Sequence, residues 1–105
     1  MSNKKILPLG SIVYLKEGNK KLLIVARGLI AKNGEEHIYF DYGGVPYPEG
    51  LVDDKIAYFQ HDAITKLVFN GYTDLDDEAT IEKINLFVEN HPEILRGDVK
   101  HLLNK

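Results

Sequence analysis

Four histidines, His37, His61, His91 and His101, are the imidazoles this chain offers for acid–base or metal chemistry, and they lie far apart in sequence. None falls at the i, i+4 spacing that sets two metal ligands on one helix face. His61 beside Asp62 is the one suggestive pair. A histidine next to an aspartate in a turn reads first as a local hydrogen bond or cap. Hydroxyl nucleophiles are few: Ser2 stands near the start and Ser11 opens an apolar run, neither in a nucleophile-elbow context. The chain has no cysteine. Thiolate catalysis, sulfur-ligated zinc and disulfides are therefore excluded, and a reducing compartment is expected.

The carboxylates read as local structure too. Adjacent Asp53 and Asp54 repel each other, and a hard cation needs oxygens from several segments. Asp74, Asp76, Asp77 and Glu78 lack the glycine and glutamate positions of a calcium loop and suit a helix N-terminus instead. Gly43-Gly44 runs into Val45-Pro46 rather than into a helix bearing a lysine, so no phosphate cradle is expected. The sequence thus predicts no catalytic residue, no cofactor and no metal. Its carboxylates, imidazoles and hydroxyls are expected to serve turns, caps and solvent, without meeting in one cleft.

The aromatics carry more promise. Tyr39, Phe40, Tyr42, Tyr47, Tyr58 and Phe59 cluster around a segment rich in glycine and proline, Gly43 to Gly50. Alternation along a strand cannot bury them all, and tyrosine is enriched in protein interfaces. The candidate partner-binding residues are Tyr39, Tyr42, Tyr47, Pro48, Glu49 and Tyr58. A second reading has Tyr42, Tyr47 and Tyr58 line the mouth of a small barrel that holds a small ligand.

Those residues need elements to hold them. Ser11 to Glu17 is rich in β-branched and aromatic residues and stops at Gly18-Asn19, which predicts a strand and a turn. Lys20 to Ile30 is continuously apolar at Leu22 to Val25, predicting a strand covered on both faces, with a bend or bulge at Gly28. Asn33-Gly34 predicts a type I′ hairpin. Glu36 to Tyr42 alternates, placing Ile38, Phe40 and Tyr42 on a core face and His37, Tyr39 and Asp41 on the other. Lys55 to Gln60 and Thr65 to Tyr72 complete five strands, joined by a tight or single helical turn at His61 to Ile64.

From Thr73 the period becomes helical, with Ile81, Ile84, Phe87 and Val88 on one face. Pro92 is placed to start a shorter helix, and Val99, Leu102 and Leu103 to form a last apolar turn. The expected fold is α+β: a small five-stranded antiparallel rolled sheet or SH3-like barrel, then one long and one or two short C-terminal helices. One domain spans 1–105, with sheet over 6–72 and a helical segment over 73–105.

The 105 residues and net charge of −3 suit a single core and argue against nucleic acid, whose phosphates require a basic surface. The longest apolar stretch, Leu22 to Ala26, is far short of the about 20 residues of a membrane span, and no secretory leader is expected. A cytoplasmic protein with a protein partner is the expectation. A homo-oligomer through an exposed edge strand is also open, with Lys20, Lys21 and Lys66 placed to guard such edges.

Leu7-Pro8-Leu9-Gly10-Ser11-Ile12-Val13-Tyr14-Leu15-Lys16-Glu17-Gly18 and Phe40-Asp41-Tyr42-Gly43-Gly44-Val45-Pro46-Tyr47-Pro48-Glu49-Gly50 resemble the domain-of-unknown-function family 4176 of Gram-positive bacteria. The likeness continues through Tyr58-Phe59-Gln60-His61 and Val68-Phe69-Asn70-Gly71-Tyr72 into the acidic helix start, over roughly residues 6 to 90. The resemblance implies small cytosolic proteins, often encoded beside type VII secretion loci that export toxins with an LXG targeting domain. It implies no enzymatic activity. An accessory factor that binds a secreted effector, or another small component before export, is what it leads us to expect.

Overall fold

The computed structural model describes residues 6–96. Strands β1 (Ile12–Leu15), β2 (Leu22–Asn33), β3 (Glu36–Pro46) and β4 (Ala57–Phe59) are followed by a 3-10 turn (His61–Ala63) and β5 (Ile64–Phe69). Helix α1 (Leu75–Asn90) and a two-residue strand β6 (Leu95–Arg96) complete the order. The five longer strands form an open antiparallel sheet in the order β4-β3-β2-β1-β5. The α+β class with one long helix therefore holds.

The five expected strands form, and two other expectations are corrected. A two-residue β6, outside the expected five, adds to β3 in parallel at Ile38–Leu95 and Tyr39–Arg96. It stands where Pro92 was expected to open a second helix: only a turn follows α1, with Ile94 N–H bonding His91 O, before the chain extends. The apolar turn expected near Val99, Leu102 and Leu103 lies outside the described residues. The last long strand stops at Phe69 rather than Tyr72.

The β2–β3 hairpin turns at Gly34-Glu35, one residue later than expected, with Asn33 opposite Glu36. Gly34 has φ +69 and Glu35 is not in the left-handed region, the pattern of a II′ turn with glycine first rather than of I′. The bulge sits at Val25: the register steps from Ile24–Gly44 to Ala26–Gly43. Gly28 has another task. It has φ +59, and a Cβ there would lie 3.0 Å from the Ile84 side chain, so its bareness lets α1 settle on the sheet.

Burial of β2 and β3 reverses the sequence pattern. Alternating β3 is buried throughout Ile38 to Val45, whereas apolar β2 leaves Val25 and Ile30 more than two-fifths exposed. The reason is position. On one side of β3, Tyr42 joins the core of Ile6, Val13, Ile24 and Phe59, with Leu7, Leu15, Leu22, Ala63, Ile64 and Ile81 packed around it. Elsewhere along the strand, Tyr39 lies under α1 with Gly28, Ile84 and Phe87 around it. Among the described residues no helix is long and apolar enough to cross a membrane.

Asp74 caps α1 as its acidic start implies, its carboxylate accepting the Asp77 N–H at 3.0 Å. Asp77 departs from that role. Its side chain turns inward to Arg27 Nη1 at 2.7 Å, with the two side chains only 10% and 7% exposed.

Candidate functional site

Two places gather polar or aromatic side chains, and the first was expected to be empty. At the 3-10 turn, Gln60 bridges β3 by accepting the Asp41 N–H at 3.0 Å and donating to the Tyr39 carbonyl at 2.7 Å. The buried Asp41 carboxylate accepts the His61 N–H at 2.8 Å. Tyr42 Oη lies 2.7 Å from His61 Nδ1 and accepts the Leu7 N–H at 2.9 Å. Arg27 then donates to the Leu7 carbonyl at 3.2 Å.

The expectation that acids, imidazoles and hydroxyls stay apart is thus corrected: Asp41, Tyr42 and His61 share one network. Neighbouring Asp62, the acid suggested by sequence, is exposed. The acid that bonds the His61 main chain is 20 residues earlier in the chain, brought there by the β3–β4 pairing. No local signal could find it, because the pairing register and not sequence spacing sets the contact.

The chemistry of this network is restrained. Tyr42 Oη is engaged on two sides, accepting the Leu7 N–H and sharing a hydrogen bond with His61 Nδ1. Burial of Tyr42 pushes its hydroxyl pKa well above the ordinary range, so it resists ionisation and is a poor acid. The bonds pin the N-terminal segment and the 3-10 turn to β3. Among the described residues no group of three or more metal-ligating side chains comes together.

A sign follows for stability against pH. The folded state holds the Tyr42 proton more tightly than the unfolded chain does, so this contribution is complete below the unfolded pKa of about 10 and is lost as pH rises above it. We expect a loss of about 1.4 kcal/mol per pH unit in that window relative to Tyr42→Phe. At neutral pH, Tyr42→Phe is expected to cost about 1–3 kcal/mol, since the part-buried Leu7 N–H loses its acceptor. Urea unfolding of both proteins between pH 7 and 11 checks both statements.

The second place is the β3–β4 connection. Tyr47, Pro48 and Glu49 are exposed there, with a cis bond between Tyr47 and Pro48. Tyr47 N–H bonds the Lys21 carbonyl at 2.9 Å, and Lys21 Nζ stands 5.4 Å from the centre of the Tyr47 ring. Glu49 pairs with Lys20 Nζ at 2.6 Å, and that hydrogen bond holds its carboxyl below the usual range. Leu51, Val52 and Ile56 are exposed beside them.

Between these, Asp53 and Asp54 adopt left-handed φ of 56° and 57°, closing a two-residue turn bridged by Val52 and Lys55. Aspartate tolerates that region better than most residues, the one sequence signal for this turn.

The six expected contact residues do not form one surface. Tyr47, Pro48 and Glu49 are together and open, and Tyr58 is half-buried with its ring 5.5 Å from Phe40. Tyr39 and Tyr42 are corrected to interior residues, 2% and 0% exposed. Tyr42 packs 5.3 Å from the Phe59 ring and is enclosed, so it shares no open surface with Tyr47 and Tyr58. Sequence reasoning missed Leu51, Val52 and Ile56, whose exposure depends on how the loop is pinned.

No curated protein and no solved structure matches this chain. The model of one family, Domain of unknown function (DUF4176), matches residues 6–80, which takes in β1 to β5, both polar and aromatic sites and the first turns of α1. The chain belongs to that family.

Proposed function

We propose that the chain is a non-catalytic protein-binding module, a cytoplasmic adaptor or chaperone for effectors of type VII secretion. The observation that carries the binding reading is the β3–β4 connection. Tyr47, Leu51, Val52 and Ile56 are 39%, 57%, 45% and 37% exposed on a loop held by main-chain bonds. Apolar side chains left exposed along one ordered loop, with Glu49, Asp53, Asp54 and Lys55 interleaved in sequence, are the usual composition of a contact surface. The buried Asp41–Tyr42–His61 network supports a non-catalytic role, because its hydroxyl is enclosed and engaged.

The bulge at Val25 that curls the long β2–β3 hairpin and the 3-10 turn between β4 and β5 support an SH3-like barrel. The secretion context rests on the family resemblance.

Co-purification from the native host tests the function. A tagged chain is expected to retain a secreted effector or a secretion component about tenfold more than a Tyr47→Ala, Leu51→Ala, Val52→Ala variant, as loss of central interface contacts implies. Equal recovery with both proteins, or none with either, rejects the reading.

A further inference from the structure

Strand β5 ends the sheet order and pairs with β1 alone, so its outer edge carries no ladder among the described residues. Five of its six residues, Thr65 to Phe69, are exposed, and Leu67, Val68 and Phe69 are 43%, 43% and 58% open. The apolar surface continues past the strand. Tyr72 is 79% exposed, and Leu9, whose carbonyl crosses against Gly71, is 48% exposed. Lys66 is the one charge in the strand, a thin guard for an edge of this length.

A second copy of the chain is the occupant that fits. An antiparallel edge is complementary to itself, because a two-fold axis normal to the sheet exchanges its free N–H and C=O groups with those of the copy. Such an axis sets one residue against its own copy. Centred on Lys66, it would bring two like charges face to face. Centred on Leu67, it sets Leu67 against Leu67, Lys66 against Val68 and Thr65 against Phe69, an apolar pair flanked by a β-branched–aromatic pair. With Tyr72, Leu9 and exposed Asn70 beside the strand, the open surface is comparable with the ~800 Å² that each partner of a standard interface buries. The other end of the sheet limits growth. Strand β4 is three residues long and the β3 edge beyond it already holds β6, so pairing stops at two copies and does not propagate.

We propose that the chain forms a two-fold dimer in which the β5 strands of two copies pair antiparallel about Leu67, joining their sheets into one. The contact lies in a different segment from the β3–β4 loop, and the two succeed or fail separately.

Sedimentation of the intact chain is expected to show a dimer by about 100 μM, and Leu67→Lys to raise its dissociation constant at least about tenfold by setting two lysines against each other. Because the chain has no cysteine, one introduced thiol reports the register. Leu67→Cys is expected to cross-link to its own copy on mild oxidation at least about tenfold faster than Glu35→Cys at the exposed hairpin tip, since directly opposed residues stand about 4.5–5.5 Å apart, within disulfide reach. A chain that stays monomeric overturns the proposal, whether its edge is then free, covered by its own terminal residues or kept for a strand of another protein. So does a dimer that Leu67→Lys leaves as tight, or one in which Leu67→Cys cross-links no faster than Glu35→Cys. The thiol measurement decides the matter even where Leu67→Lys fails to fold.

Discussion

Arg27→Met is expected to weaken the docking of α1 by about 3–5 kcal/mol, the cost of leaving one member of a buried ion pair without its partner. The Asp77 carboxylate would keep only Thr73 Oγ1, which donates to it at 2.7 Å, and the cation that compensates its desolvation would be gone. Amide exchange across Leu75–Asn90 reads the effect directly. The double variant Arg27→Met, Asp77→Leu removes both charges and is expected to recover most of the loss, because neither desolvation penalty remains. Lys20→Met provides the contrast. It breaks an ion pair with Glu49 whose side chains are about half exposed, and should cost far less than Arg27→Met because solvent screens both charges. Equal effects from Arg27→Met and Lys20→Met would show that the inner pair is solvated after all.

Gly71→Ala is expected to be at least as disruptive as the upper end of the about 1–3 kcal/mol typical of overpacking. A Cβ at this buried position would overlap the Leu9 carbonyl oxygen and lie 3.0 Å from the Ser11 nitrogen, both main-chain atoms. Those atoms have little room to retreat. Gly10 N–H bonds the Ile24 carbonyl at 2.8 Å, Ile24 N–H bonds the Ser11 carbonyl at 2.9 Å, and Gly71 N–H itself bonds the Ser11 hydroxyl at 2.9 Å. Gly10→Ala separates sterics from backbone conformation. Its Cβ would meet nothing within 4 Å, and its φ of +88 should cost only about 1–2 kcal/mol. Thermal unfolding of the two variants checks the order, and a Gly71→Ala protein as stable as Gly10→Ala would contradict the close crossing. The consequence reaches α1, since Gly71 ties the connector before the helix to the start of β1.

The local features were legible because each rests on a few adjacent residues. Asp74 as a helix cap, the hairpin near Gly34, the strands around Val13, Ile24, Phe40 and Phe59, and the helical face of Ile81 and Ile84 all follow from short-range sterics and periodicity. The resemblance over Leu7 to Tyr72 was carried by residues of the same kind, and the family match agrees with it. What eluded the sequence lies between distant segments. Alternation in β3 correctly set Tyr42 toward the core but could not show that α1 would cover Tyr39 as well. Asp41 reaches the His61 main chain, and Arg27 reaches Asp77, only because register and helix placement bring them together across 20 and 50 residues. The segment after Asn90 became β6 because the β3 edge beyond β4 could still accept a ladder. The chain by itself thus determined which segments are strand, turn and helix, since dihedral preference and side-chain period are properties of neighbours. Tertiary structure alone decided which polar groups are enclosed and which apolar ones stay open, because burial depends on what another part of the chain places on top.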